Sequence, residues 1–121
     1  MGKVRLTVRV DFGSASALGP GKIRLLEAIA KAGSISKAGR LLTMSYRRAW
    51  LLVEELNHLF GHPLVTARPG GLKGGGAALT SAGERIVALY REAEAKMRHS
   101  AALEIAHLES ALAGAEARRG G

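Results

Sequence analysis

The chain reads as mainly α with a small β wing, and three observations carry that reading. Apolar residues recur at helical spacing along most of the length. Serine caps stand before two helices separated by only a few residues, and a glycine-rich stretch between two short apolar runs marks a hairpin. At 121 residues the chain has room for one hydrophobic core, and its 47% hydrophobic content suits a folded, Ala/Leu-rich domain. Eighteen Lys and Arg against ten Asp and Glu give a formal charge of +8, so the long-range field attracts polyanions, nucleic acid first among them. No apolar run approaches the ~20 residues of a spanning helix, and no membrane partner is expected.

Taken in order, Val4, Leu6, Val8 and Val10 alternate with Lys3, Arg5, Thr7 and Arg9, the period-two pattern of a strand with one buried face. Residues 11–21, with three glycines and Pro20, end it. Ile23, Leu26, Ile29 and Ala30 then mark a helix over 21–32, with Pro20 suited to its first position and Gly33 as its stop. Ser34 caps a short second helix with the apolar stripe Ile35, Ala38, Leu41 and Leu42. After Thr43-Met44, Ser45 caps a longer third helix, whose inner face is Ala49, Trp50, Val53, Leu56 and Phe60. Residues 64–68 and 77–79 pair across a loop, 69–76, that holds five glycines around Lys73. Thr80 and Ser81 provide caps for a last helix over 82–112.

Two capped helices almost back to back, followed by a hairpin, make a winged helix-turn-helix with an N-terminal strand and a long C-terminal helix. Such a fold places the start of its second helix in the major groove of DNA. Here that start is Ser45-Tyr46-Arg47-Arg48, and Arg is the side chain best matched to guanine O6 and N7, so Arg47 and Arg48 are the base-reading candidates. Trp50 at core spacing is expected to support the helix rather than touch DNA. Arg68 and Lys73 give the wing its charge, and its glycines let backbone approach phosphate. Leu51 and Leu52 follow Trp50, and both cannot be buried beside Val53. A thymine methyl, another chain or an unseen core contact are the alternatives.

On the last helix, Ile86, Tyr90, Ala93, Met97, Ala101, Ile105, Leu108 and Leu112 form one stripe, with Glu92/Lys96 and Glu94/Arg98 as i,i+4 pairs outside it. The distal part of so long a helix needs a partner, which predicts a homodimer through Ile86, Tyr90, Met97, Ile105, Leu108 and Leu112. The organisation is then residues 1–80 as the DNA-binding unit, 81–113 as the dimerisation helix and 114–121 as a flexible tail.

Other chemistry is not expected. There are no cysteines for disulfides, thiolate catalysis or zinc, and Gly61 and Pro63 end the helix beside His58 and His62 before they can form a metal pair. Residues 69–76 lack the Gly-Lys-Ser/Thr ending of a nucleotide loop, and no nucleophile set or dinucleotide fingerprint occurs. The reading is no enzyme, no cofactor and no metal. Residues 1–10 lack the charged-then-apolar order of a signal peptide, so the cytoplasm is the default.

Three blocks resemble a known family: Gly33-Ser34-Ile35-Ser36, then Met44-Ser45-Tyr46-Arg47-Arg48-Ala49-Trp50, then Gly70-Gly71 through Gly74-Gly75-Gly76-Ala77 and Leu79-Thr80. They resemble the DNA-binding domain of the ModE family of molybdate-dependent transcriptional regulators, itself similar to the LysR-type winged helix-turn-helix, over residues 4–97. The resemblance implies operator binding by a dimer, with Tyr46, Arg47 and Arg48 on the recognition helix, Ser36 and Lys37 near the DNA backbone, and Lys73 on the wing. Family members that sense molybdate carry a further C-terminal oxyanion-binding portion, and the chain ends before one, so the expectation is a regulator without that sensor. Two other classes fit the same composition: a nonspecific architectural nucleic-acid binder, and an interaction module built on the long helix.

Overall fold

Helix caps and one stripe of fully buried side chains organise the computed structural model, which describes residues 4–13, 16–68 and 75–120. Strands β1 (Val10–Phe12) and β2 (Ser16–Leu18) form an antiparallel hairpin. Three helices follow: α1 (Pro20–Ala32), α2 (Ile35–Leu41) and α3 (Tyr46–Leu59). A second antiparallel hairpin, β3 (Val65–Arg68) with β4 (Gly76–Leu79), leads into α4 (Ser81–Ser100) and α5 (Ala102–Gly120). This is a winged helix-turn-helix.

Pro20 occupies the first turn of α1, where its missing N–H costs nothing, and Ile23, Leu25, Leu26 and Ile29 are fully buried. Each such side chain contributes about 1.5–3 kcal/mol by leaving water. Around them close Ala38, Ala49, Val53, Leu56, Leu64, Val65 and Ala77. Gly33 ends α1 in the left-handed region, its N–H donating to Ile29 O at 2.8 Å, while its own carbonyl accepts from Ala77 N at 2.8 Å. That last bond joins the end of α1 to the wing.

The turn between α2 and α3 has a Schellman geometry. Met44 N donates to Gly39 O at 2.9 Å and Thr43 N donates to Arg40 O at 3.2 Å, with Thr43 in the left-handed region at φ 53°. A Cβ on Gly39 would meet Met44 O at 3.2 Å and the Ala49 methyl at 3.4 Å, so the absence of a side chain there lets α2 and α3 cross closely. Ser34, Ser45 and Thr80 cap α2, α3 and α4 by accepting from Lys37 N, Arg48 N and Gly83 N at 3.0, 3.1 and 3.0 Å.

The structure departs from the sequence reading in several places, among them Ala30 and Leu41, read as apolar stripe positions and exposed. Residues 4–9 form no ladder; Leu6 O accepts from Arg98 and Val8 O from the Tyr90 hydroxyl at 2.6 Å, so side chains from α4 occupy the carbonyls that a neighbouring strand would have used. The pairing partner is instead β2, inside the stretch expected only to end the strand, and Val10 is exposed. Trp50 is 42% exposed, because Ala49, Val53 and Leu56 already fill the inner face and the next residue turns about 100° away from it. The last helix is divided at Ala101, although Ala101 N still donates to Met97 O and Ile105 N to Ala101 O, each at 2.9 Å. It then runs through 114–120, where a tail was expected: Ala113, Ala115, Ala117 and the basic last turn Arg118-Arg119 favour helix by more than Gly114 opposes it.

Inside the molecule, Glu94 is a carboxylate only 5% exposed, held by Arg91 at 2.8 Å and by Arg98 at 3.1 Å. Arg91 also forks onto Glu27 of α1 at 2.7 and 2.9 Å, and these hydrogen bonds hold the Glu27 carboxyl below its usual value of 4.5. A carboxyl so lowered adds stability above its unfolded value, and that stability is lost as pH falls through the folded value. Glu27→Gln is therefore expected to lower stability at neutral pH and to flatten its decline from about pH 5 to about pH 3, as read by urea titrations at each pH. At Thr43, a left-handed strain of about 1–2 kcal/mol outweighs the roughly 0.5–1 kcal/mol of freedom that glycine restores to the unfolded chain. Thr43→Gly should raise stability by about 0.5–1 kcal/mol, seen as a rise of a few degrees in Tm.

Candidate nucleic-acid interface

The outward surface of α3 sorts into three rows once the buried face is fixed by Ala49, Val53 and Leu56. Arg47, Leu51, Glu54 and His58 lie opposite the core, at the centre of the exposed face. Tyr46 and Trp50 lie on one flank, in line with Asn57, and Arg48, Leu52 and Glu55 lie on the other. Arg47 and Arg48, paired in the sequence, thus diverge by about 100° around the helix. Tyr46, Arg47 and Arg48 are all exposed, and so is their cap, Ser45.

The first flank faces the wing. Asn57 Oδ1 accepts from Leu64 N at 2.8 Å and from Val65 N at 3.0 Å, while its Nδ2 donates to Val65 O at 3.1 Å. One amide therefore satisfies three backbone groups at the entry to β3 and locks the wing to the end of α3. On the far side of the same strand, Thr80 N donates to Leu64 O at 2.9 Å and the Thr80 hydroxyl donates to Pro63 O at 2.8 Å. Arg68 is exposed at the end of β3, its guanidinium close over Gly33 at the junction of α1 and α2. That position places it beside the start of α2. Lys73 lies outside the described residues.

The second flank faces the N-terminal hairpin. Arg48, Leu52 and Glu55 line an open groove with Arg9, Ser16, Lys22 and Met44. Lys22 stands 3.2 Å from Glu55, and together with the Ser16 hydroxyl at 3.0 Å it holds that carboxyl below the ordinary range. Leu52 packs against the core, whereas Leu51 is 52% exposed, which settles which of the two leucines is inside.

On α2, Lys37 and Arg40 are exposed, and Arg40 donates to the Ser36 hydroxyl at 2.9 Å. Ser36 therefore sits half-buried beneath a guanidinium. Neither Arg40 nor Asn57 stands out as a candidate on the sequence alone. The structure brings Lys37, Arg40, Arg47 and Arg68 to the surface formed by α2, α3 and the base of the wing, and turns Arg48 toward the other hairpin.

Residues 21–84 match the bacterial regulatory helix-turn-helix proteins of the lysR family. The chain belongs to that family. The matched stretch runs from the first turn of α1 to the first turn of α4, so the lysR-family region contains both helices of the turn and the whole wing. The chain is 44% identical over 90 residues to the molybdenum transport protein ModE of Azotobacter vinelandii, covering 74% of this chain and 33% of that protein. It is 35% identical over 98 residues to the transcriptional regulator ModE of Haemophilus influenzae, covering 81% of this chain and 38% of that one. The chain spans about a third of the length of these relatives. The resemblance to the ModE family's DNA-binding domain, read from three sequence blocks, is borne out by these matches. A solved structure titled as a CbnR_DBD–DNA complex has the same fold, with a TM-score of 0.56 at 20% identity over 73% of this chain and 95% of that one.

Removing the Asn57 amide leaves Leu64 N and Val65 N without their acceptor. Asn57→Leu should cost about 2–4 kcal/mol by denaturant titration, and should speed amide exchange in β3 ahead of α1.

Proposed function

We propose that this protein is a sequence-specific, double-stranded-DNA-binding transcriptional regulator that acts as a homodimer in the cytoplasm, with no catalytic activity of its own. The single observation that carries the reading is the row headed by Arg47. It is exposed at the start of a capped helix, aimed away from the core, and flanked by a wing fixed to the same helix through Asn57. Arg47 reads a guanine edge from the centre of that row. Tyr46 and Ser45 stand beside it at the groove wall, and Arg48 works from the flank. Lys37, Ser36 and Arg68 hold phosphates, with Lys73 extending the wing's charge. The relatives named ModE and the net charge of +8 support DNA as the partner.

The dimer follows from the long helix. Tyr90 is buried in the protomer's own core and Ile86 packs against it, so these two are already engaged. Among the described residues none of α5 is buried, and Met97 and Leu108 are 44% and 56% exposed, about two and five turns beyond Tyr90, the last core residue of α4. Met97, Ile105, Leu108 and Leu112 form the remaining seam for a second copy, and among the described residues no helix is long and apolar enough to cross a membrane instead.

Duplexes selected by the protein from a random pool, measured by fluorescence anisotropy against scrambled duplexes, test the reading. The expected specificity ratio is at least ~10³, with affinity falling steeply as salt rises. Arg47→Ala should cost about 1–3 kcal/mol and relax preference at one base pair, whereas Lys37→Ala should weaken every duplex alike. Equal losses on all sequences for both changes would leave a nonspecific binder. Sedimentation should give a dimer that Met97→Glu/Leu108→Glu converts to monomer, with loss of tight binding to two-half-site duplexes.

A further inference from the structure

The middle of the proposed DNA-facing row holds an apolar residue whose place there the fold does not require. Leu51 is half-exposed, lies about 200° around α3 from the core stripe, and stands one turn beyond Arg47 on the same line. Its neighbour Leu52 packs against the core, so Leu51 is not needed to complete it. Single exposed leucines are ordinary on protein surfaces. This one is flanked by Arg47 and Arg48 on one side and Glu54 and Glu55 on the other, in the one row that a groove-bound helix turns toward base edges.

We infer that Leu51 is a specificity-determining residue that packs on the 5-methyl group of a thymine, so that α3 reads a guanine and a nearby thymine as a unit. The inference rests on the proposed DNA-binding reading and adds a base to it. In the major groove the thymine methyl is the one apolar group on any base edge, and an aliphatic side chain without donor or acceptor has no other specific partner there. Spacing agrees with this. Four residues along a helix advance about 6 Å, and base pairs stack about 3.4 Å apart, so the thymine lies about one or two base pairs from the guanine contacted by Arg47. The row also assigns the ends: Arg47 meets the acceptors of guanine near the helix start. Glu54, one turn farther from the start, puts a carboxylate where a phosphate would be repelled. Leu51 therefore occupies the last position on the row that suits an uncharged base edge.

The test uses the full chain and a duplex selected from a random pool, with each thymine replaced in turn by deoxyuridine, which removes the methyl and keeps the pairing. Wild-type protein is expected to lose affinity about fourfold at one thymine per half-site, the loss of one buried methyl, and about one or two base pairs from the guanine revealed by Arg47→Ala. Leu51→Ala should bind the thymine and deoxyuridine duplexes equally well, at the weaker affinity, while Leu51→Met keeps the discrimination. Circular dichroism and Tm of Leu51→Ala are expected to match wild type. Indifference of the wild type to every replacement, or an unchanged thymine-to-deoxyuridine ratio in Leu51→Ala, would overturn this inference and leave the regulator reading standing. Failure to bind any duplex would overturn both.

Discussion

The close crossing of α2 over the start of α3 is the constraint on which the remainder of the molecule depends. A helix that ends leaves carbonyls without partners, and a helix that begins leaves N–H groups without partners. Here members of both sets find partners within a few residues: Thr43 N and Met44 N bond back to α2, and Ser45 accepts from Arg48 N. The turn is short because Gly39 lets the backbone of Met44 and the methyl of Ala49 come within reach of its own Cα. It is strained at Thr43, and the packing of Ala38, Ala49 and Val53 against α1 holds that strain in place. With the crossing fixed, the rotation of α3 about its axis is fixed too, and Arg47 has only one direction in which to project.

Two further sets of bonds carry that geometry outward. Asn57 ties the far end of α3 to β3, while Gly33 ties the end of α1 to β4, so the two strands of the wing are anchored to different helices. On the opposite side, Arg91 links α1 to Glu94 of α4, and Arg98 and Tyr90 hold the N-terminal segment by its carbonyls. Three of the paired carboxylates, Glu27, Glu55 and Glu94, are each matched by Arg or Lys. Lys37, Arg40, Arg47 and Arg68 stand exposed on α2, the start of α3 and the end of β3, where their charge faces solvent.

Much of this was legible in the sequence. Ser34, Ser45 and Thr80 stand where caps belong, Pro20 and Gly33 bracket α1, and the five glycines after Arg68 mark the hairpin, because caps and breakers act within three or four residues and leave local marks. The misses share a different cause. Trp50 was read inward because its spacing from Val53 and Leu56 fits a stripe, but the stripe has room for one of two adjacent residues and Ala49 takes it. The alternation at residues 4–9 did report which side chains face inward, with Val8 buried and Arg9 exposed, and failed at the exposed Val10. It could not report that Tyr90 and Arg98, more than eighty residues away, would take the backbone carbonyls. Asn57 gave no sign for the same reason: a single amide bonding backbone seven and eight residues on has no periodicity.

Charge and shape divide the work at the proposed interface. Exposed cations attract a phosphate backbone of any sequence, and their contribution is screened by salt; alone they bring the protein to DNA without choosing among sites. Choice requires groups that lose something on the wrong base, and on α3 those are few, since Glu54, Glu55 and the core stripe occupy most of the helix. That leaves the first two turns, where Arg47 offers two donors in a fixed fork and Leu51 offers only surface. A donor that meets the wrong edge is left unsatisfied, while an aliphatic group that meets no methyl merely stays wet. The arginine therefore penalises error more than the leucine rewards a match, and the discrimination of the helix depends first on the crossing that aims Arg47.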